Sequence, residues 1–423
     1  MTDTQSIACP TVGPVVRDRG RRRFVLSPAV AFAGSALAFA GLYVAAGAPT
    51  PLLTQLQHEW AFPEWVLTIA FAIYAFGLLA SLLVVGALSD FVGRRPVLLG
   101  ALALELVAML IFVFAPDIGW VITARALQGI ATGAATSAFA ASVVEHAPIR
   151  HKRLASMIGA VAAAGGLGLG SLFTGAALQF TAHASTIMFT ALAIVMALGI
   201  LVVTFSAETV TRKRGATRSL APRAAVPGVA RPGFVAATPV LIASWMLAGL
   251  FLGLGPTIVQ TVFRIDSGFI NGLTAFIEPA AAAIAALALG GLAPRRAIGL
   301  GNLAVLVGTI VIVGGVLSGV LAVLWIGGII AGAGFGAGFS GTLRSLAPLA
   351  AAHERAELFA AIYVVAYLSF GAPAIVAGEL VGVVGLTATV LGYAVAILLA
   401  AAWGIAAQSR LARLSPAAAS LDS

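Results

Sequence analysis

Apolar runs of about 20 residues or more alternate with short charged or Pro/Gly-rich breaks along nearly the whole chain. A bilayer core is roughly 30 Å thick and asks for about 20 apolar helical residues per crossing. The runs predict spanning helices near 28–56, 64–88, 96–115, 117–143, 153–180 and 185–205, then near 234–262, 269–290, 296–317, 320–347, 356–379 and 385–407. The organisation expected is a tail at 1–27, a six-helix bundle at 28–205, a polar, basic linker at 206–233, a second bundle at 234–407 and a tail at 408–423. Arg17, Arg19 and Arg21 to Arg23 ahead of the first run imitate a signal peptide, but that run is too long for an h-region and reads as a retained span.

Composition agrees: 61% of the 423 residues are hydrophobic and 9% charged, against roughly 25% charged in ordinary soluble domains. The formal net charge of +9 raises nucleic acid as a partner, so the placement of the basic residues decides. With the N-terminus inside, 22 of the 24 lysines and arginines fall in cytoplasmic segments, leaving only Arg264 on an outer loop and Arg125 within a helix. That bias puts both termini in the cytoplasm of a bacterial inner-membrane protein and accounts for the charge without nucleic acid. The sole cysteine, Cys9, excludes an intrachain disulfide. The sequence contains no nucleotide-binding loop, metal-ligand cluster or nucleophilic triad, so neither an enzyme nor a pump is expected, and no cofactor.

The halves resemble each other. Trp120, Gly129 and Gly133 recur as Trp325, Gly334 and Gly338 at an offset of 205, and Arg94-Arg95 followed by Gly100 recurs as Arg295-Arg296 followed by Gly301 at 201. Parallel six-helix repeats leave such traces.

After the second helix comes Gly86-Ala-Leu-Ser-Asp90-Phe-Val-Gly93-Arg94-Arg95-Pro96. Gly86 permits close helix approach, Gly93 allows a turn, and Arg94 and Arg95 sit where leaflet phosphates attract them. Asp90 has no topogenic purpose, and at the membrane boundary it needs a positive partner such as Arg94 or a helix N-terminus. The stretch resembles the loop signature of the major facilitator superfamily, an all-α membrane fold of twelve transmembrane helices in two six-helix bundles. The resemblance implies a latch in which Asp90 meets the basic loop and the start of the eleventh helix in the outward-facing state. The second-half loop, Gly290 to Arg296, lacks the acid. In the fourth helix, Arg125-Ala-Leu-Gln128-Gly129 resembles a further motif of that superfamily, which implies that Arg125 tunes proton transfer or touches substrate. An intramembrane arginine otherwise snorkels to the interface.

The fifth helix carries Gly165-Gly166-Leu-Gly168-Leu-Gly170-Ser171-Leu-Phe-Thr174-Gly175, similar to the signature of the superfamily's drug/proton antiporters. Gly166, Gly170 and Gly175 are the glycines expected to bring this helix against the other half and keep it bendable. Ser171 stands where those antiporters have proline, and Thr174 replaces a glycine. The first helix lacks the acid that many of them carry.

Reversible protonation in a transport cycle requires an acid held where its charge is costly. Glu278 is preferred because Pro279 breaks the eighth helix beside it, Glu105 follows on a helix that the fold makes peripheral, and Glu379 lies near the outer end of the eleventh. Tyr43, Tyr74, Gln128, Trp245, Asn271, Tyr363 and Tyr367 are the expected lining of a cavity otherwise apolar, suited to lipophilic or amphipathic small molecules. The expected function is secondary transport by alternating access, as proton-coupled efflux from a monomer whose partners are substrate, protons and the lipid bilayer. Proton-coupled uptake of a small metabolite and a non-transporting sensor are the alternatives.

Overall fold

The computed structural model describes residues 25–414 except 352–353. Cys9 and Arg17 to Arg23 lie outside the described residues. Among these residues there is no strand, and twelve helices are long and apolar enough to cross a membrane. They are α1 (Pro28–Trp60), α2 (Glu64–Val85), α3 (Arg94–Phe114), α4 (Ile118–His146), α5 (Lys152–Phe180) and α6 (Ala184–Phe205). The second set is α7 (Arg231–Thr261), α8 (Gly268–Ala288), α9 (Pro294–Ser318), α10 (Leu321–Leu346), α11 (Arg355–Val384) and α12 (Leu386–Leu414). Twelve crossings bring both ends of the described chain to one side, here the termini side; the opposite is the far side.

Local chemistry sets the boundaries. Asp117 accepts from Gly119 N and Trp120 N to start α4, and Ser267 accepts from Ile270 N to start α8. Gly93, at φ 102°, turns the chain directly into α3, two residues before the predicted start. At the other extreme α11 continues five residues past its predicted end, until Gly385 takes up φ 84°. Within the spans, Thr132, Thr309 and Thr342 each donate to the carbonyl four residues back, so their hydroxyls need no water.

α1 to α6 form one bundle around Phe39, Leu102, Met109 and Phe139. α7 to α12 form the second, around Leu247, Phe251, Val390 and Ile397. The leading helix of each bundle is broken toward the far side. α1 is two helices in line, Pro28–Gly47 and Pro49–Trp60. α7 passes through a π-helical turn, Leu250–Leu254, before Gly255–Thr261 with Pro256. Proline removes a backbone donor and crowds the preceding turn, which forces both breaks.

The repeat is real, but its register differs from the sequence match. Gly129 and Gly133 of α4 press on the carbonyls of Tyr74 and Leu78 in α2. The glycines that do the same on α8 are Gly332 and Gly336, against the carbonyls of Glu278 and Ala282. The offset is therefore 203, not 205: Gly334 instead meets α9 at Gly301, and Gly338 lies beside Val240. α10 carries a glycine every two residues from 332 to 338, so a match anchored on Trp120 and Trp325 picked the glycines of the wrong face.

Candidate functional site

Two helix pairs join the halves, α5 with α8 and α2 with α11. On the first seam Gly175 is so close to α8 that an added Cβ would lie 2.6 Å from Gly272 Cα, while one on Gly272 would lie 2.5 Å from the Ser171 carbonyl oxygen. Gly168 meets Phe276 and Pro279, and at the far end Ser267 Oγ donates to Gln179 Oε1 at 2.8 Å. The second seam pairs Gly378 with Thr68, Gly371 with Phe76, and Phe71 with Phe370 at 4.8 Å between centroids. His58 Nε2 and Gln260 Oε1 bridge α1 and α7 at 2.9 Å. Toward the termini side the first seam diverges. The α8 stripe 272, 276, 279, 283 continues to Leu287 and the α5 stripe to Met157 and Leu154, and all three are exposed. This seam is closed at the far side and open toward the termini side, whereas the α2–α11 seam stays packed as far as Leu83 with Tyr363 and Val364.

Of the glycines expected to face the other half, Gly175 does so. Gly166 and Gly170 turn to α1 in their own half, against Tyr43 and the Val44 carbonyl. Gly268 and Gly272, which complete the crossing from α8, were not anticipated; their i, i+4 spacing was the available signal.

The break in α1 gathers the polar residues. Pro49 and Pro51 have no N–H, so the carbonyls of Ala45 and Gly47 lack their helical donors. Gln128 Nε2 donates to Ala45 O at 2.9 Å and Ser171 Oγ donates to Gly47 O at 3.0 Å. Between them Arg125 Nη1 donates to Ala46 O at 3.0 Å, and its Nε to Ala70 O of α2 at 3.2 Å. The guanidinium lies 4.4 Å from the centroid of the Tyr74 ring. Arg125 Nη1 also donates to Gln128 Oε1 at 2.5 Å, and Gln128 Nε2 to Glu105 Oε1 at 3.2 Å. Arg125, Gln128 and Glu105 thus form one hydrogen-bonded chain, each at most 2% exposed. Arg125 does not snorkel, because carbonyl dipoles, an amide and a ring face compensate its charge. Glu105 is on a helix whose other face is exposed, as expected of a peripheral helix, but its own side chain turns into the core of the first bundle, with Oε2 free of any partner among the described residues. Gln128, expected to line the cavity, is enclosed. Ser171, singled out in the sequence only for standing in place of proline, satisfies the orphan carbonyl of Gly47, which Pro51 four residues later signals.

The other expected lining residues divide. Tyr43 hydroxyl pairs with Thr136 Oγ1 at 2.9 Å inside the first bundle. Trp245 is the hub of an aromatic wall in the second, with Tyr367 at 4.9 Å, Phe335 and Phe339 at 5.6 Å and Phe370 at 6.0 Å; Tyr363 lies 6.0 Å from Tyr367. Phe335, Phe339 and Phe370 were also not foreseen, though the first two stand at i, i+4. Tyr74 and Tyr367 meet in one cluster across the halves with Phe71 and Leu78. Asn271 and Glu278 are buried at the α8 seam two helical turns apart, and Asn271 Oδ1 and Glu278 Oε1 have no hydrogen-bond partner. Glu379 is exposed near the far end of α11. No cluster of three or more metal-ligating side chains occurs among the described residues.

At the termini side the Asp90 loop is bound within the first half. Arg94 Nη1 pairs with Asp90 at 2.5 Å and donates to Ser89 Oγ at 2.7 Å, while its Nη2 meets Glu145 at 3.3 Å. Arg95 Nη2 donates to the Thr204 carbonyl. Both arginines are therefore held internally, contrary to the expectation that they face leaflet phosphates. Ser137 Oγ donates to the carbonyl of Gly86. The linker's Glu208 accepts from Arg94 N at 2.8 Å and Arg95 N at 3.0 Å, capping α3 where Gly93 supplies no side chain. The start of α11 is bonded to the linker rather than to Asp90: Ala225 N donates to Glu357 O, and Arg223 pairs with Glu357 at 3.8 Å.

The family model described as Major Facilitator Superfamily matches residues 31–372. No curated protein matches in sequence. Among solved structures, a POT family transporter in complex with a thioalcohol-conjugated peptide is 13% identical with a TM-score of 0.70, covering 92% of this chain and 96% of its own. A bacterial homologue of the human lysosomal transporter Spinster, in an inward-facing and unoccupied conformation, is 12% identical with a TM-score of 0.71, covering 93% and 99%. A nucleoside transporter is 12% identical with a TM-score of 0.66, covering 89% and 99%. These likenesses show a shared fold of two six-helix bundles, and with the family model matched over most of its length the chain belongs to the Major Facilitator Superfamily as a multi-pass membrane transporter.

Proposed function

We propose that the chain is a secondary active transporter that exports a small lipophilic or amphipathic compound in exchange for protons, with both termini in the cytoplasm of a bacterial inner membrane. The observation that carries this reading is the Glu105–Gln128–Arg125 chain packed on the broken α1 in one half, facing an aromatic wall in the other. A proton gained or lost at Glu105 changes what Gln128 bonds to, and Gln128 holds both Arg125 and the Ala45 carbonyl. Protonation is thereby linked to the conformation of α1, which is what coupling requires. The wall around Trp245 supplies apolar and π contact with few hydrogen-bonding groups, which favours lipophilic over sugar-like substrates. Asp90 serves as the latch with the start of α11 in the opposite conformer.

A ligand screen by thermal shift on purified protein, followed by flux of the best hit in vesicles, tests the reading. Substrate should move against the proton gradient. Accumulation down an inward proton gradient would make the protein a symporter, and absence of any flux would favour a sensor. Glu105→Gln should abolish proton-driven movement and leave substrate counterflow intact. If only Glu278→Gln uncouples the two, the proton does not pass through the α1 cluster.

A further inference from the structure

We infer that the groove between α2 and α3 on the termini side, together with the basic triplet Arg212-Lys213-Arg214 of the linker, is a binding site for an anionic phospholipid. It stands independently of substrate, direction and coupling.

The groove has a volume of about 270 Å³ and is lined by apolar side chains, among them Val85, Leu88, Val97 and Leu104. Two of its lining residues, Pro96 and Gly100, are exposed and stand at the head of the stripe 96, 100, 103, 107, 110, 114 on α3. Val107, Leu110 and Phe114 continue that stripe as exposed apolar residues inside a span, so it is the lipid-facing side of α3. The groove therefore opens into the bilayer. Water in so apolar a space inside the hydrocarbon is unfavourable, which leaves an acyl chain as occupant. From Pro96 to Leu104 it extends roughly 12 Å along the helix, a depth that suits the upper part of a chain.

What identifies the headgroup is the linker. Lys213 N donates to the Phe91 carbonyl at 2.9 Å, and a Cβ on Gly215 would lie 3.7 Å from the Phe91 ring. Thr209 bonds Glu145, and Glu208 caps α3. These contacts pin residues 208 to 215 over the loop between Val92 and Pro96, which is the mouth of the groove. The side chains of Arg212, Lys213 and Arg214 are exposed there and form no ion pair with another described residue, whereas Arg94 and Arg95 below them are already engaged. Three free cations at the headgroup level above an acyl-sized groove fit a phosphate with a net negative headgroup; each basic residue beside an anionic surface strengthens association on the order of fivefold.

The test is lipid retention and thermal stability of the full chain, purified and returned to vesicles of phosphatidylcholine alone or with phosphatidylglycerol. Native mass spectrometry should show retained phosphatidylglycerol on the unmodified protein, and its Tm should rise only in the mixed vesicles. Replacing Arg212, Lys213 and Arg214 together with Gln, all exposed, should cut retention at least tenfold and remove the Tm response. Gly100→Leu, at a position where an added Cβ meets nothing within 4 Å, should reduce retention by filling the groove while the triplet stays intact. Equal retention by all three proteins overturns the proposal. So does a Tm rise produced equally by inorganic phosphate, which would mark a site for the free anion. Loss in the triplet variant alone would mean surface attraction without a groove, and that too refutes the site.

Discussion

Ser171 and Gln128 show how two side chains come to hold a helix that proline has broken. Each carbonyl freed in the apolar interior would otherwise lack a partner, at a cost of about 1–3 kcal/mol, although inter-helix bonds in membranes often measure below 1 kcal/mol because the unfolded state also finds partners. Gln128 serves three groups at once, Ala45 O, Glu105 and Arg125, whereas Ser171 serves Gly47 O and its own Leu167 O. Gln128→Ala should therefore destabilise the fold by roughly 2–4 kcal/mol against about 1 kcal/mol for Ser171→Ala, read as the larger drop in the midpoint of thermal unfolding in detergent. Equal effects would mean that Arg125 finds other acceptors and that the cluster is not a unit. The sequence carried half of this. The motif singled out Arg125 and Gln128, and the prolines at 49 and 51 were in plain view, but which side chain reaches which orphan carbonyl depends on how α4 and α5 lie against α1, and no spacing along the chain encodes that.

Helix existence was legible throughout, because twelve uninterrupted apolar runs leave the backbone no alternative to helical hydrogen bonding in lipid. Which face each helix presents was not. In a span, residues toward lipid and residues toward a neighbouring helix are equally apolar, so the periodicity that would orient a soluble helix is absent. Glycine spacing substitutes for it, ambiguously on α5, where Gly166 and Gly170 pack within the half and Gly175 packs across it. The two faces predict different failures. Gly170→Val forces a side chain into the Val44 carbonyl of the same bundle and should lower stability and yield of folded protein. Gly272→Val presses on α5 of the other bundle, which can yield by rocking away, so the protein should stay folded with its far side opened. Cysteine labelling from the far side, read beside Tm, separates the two: faster labelling with little change in Tm is expected for Gly272→Val, and the reverse for Gly170→Val. Identical behaviour would mean that the α5–α8 seam is part of the fold rather than a moving contact.

At the scale of the whole molecule, both seams are closed at the far side and the α5–α8 seam opens toward the termini side, and the contact expected between the Asp90 loop and the start of α11 is not made. Asp90 is 58% exposed and among the described residues pairs only with Arg94 of its own loop, so this conformer owes it little. In the opposite conformer the termini-side ends approach each other, and the carboxylate is proposed to meet the N-terminus of α11, a contact worth about 0.5–1 kcal/mol at an exposed boundary. Asp90→Asn should therefore act on one state alone and move a balanced population two- to fivefold toward the termini-side-open form. Ile149, between α4 and α5, and Leu349, before α11, are exposed and occupy corresponding ends of the two bundles. Spin labels at these positions report the separation directly: the long-distance fraction should grow in Asp90→Asn by that factor and hardly at all in Glu208→Gln, whose carboxylate caps α3 within one half. If the distribution is unchanged by Asp90→Asn, the loop acid contributes to neither conformer, and a pairing that looks like a latch in the sequence is only the local partner of Arg94.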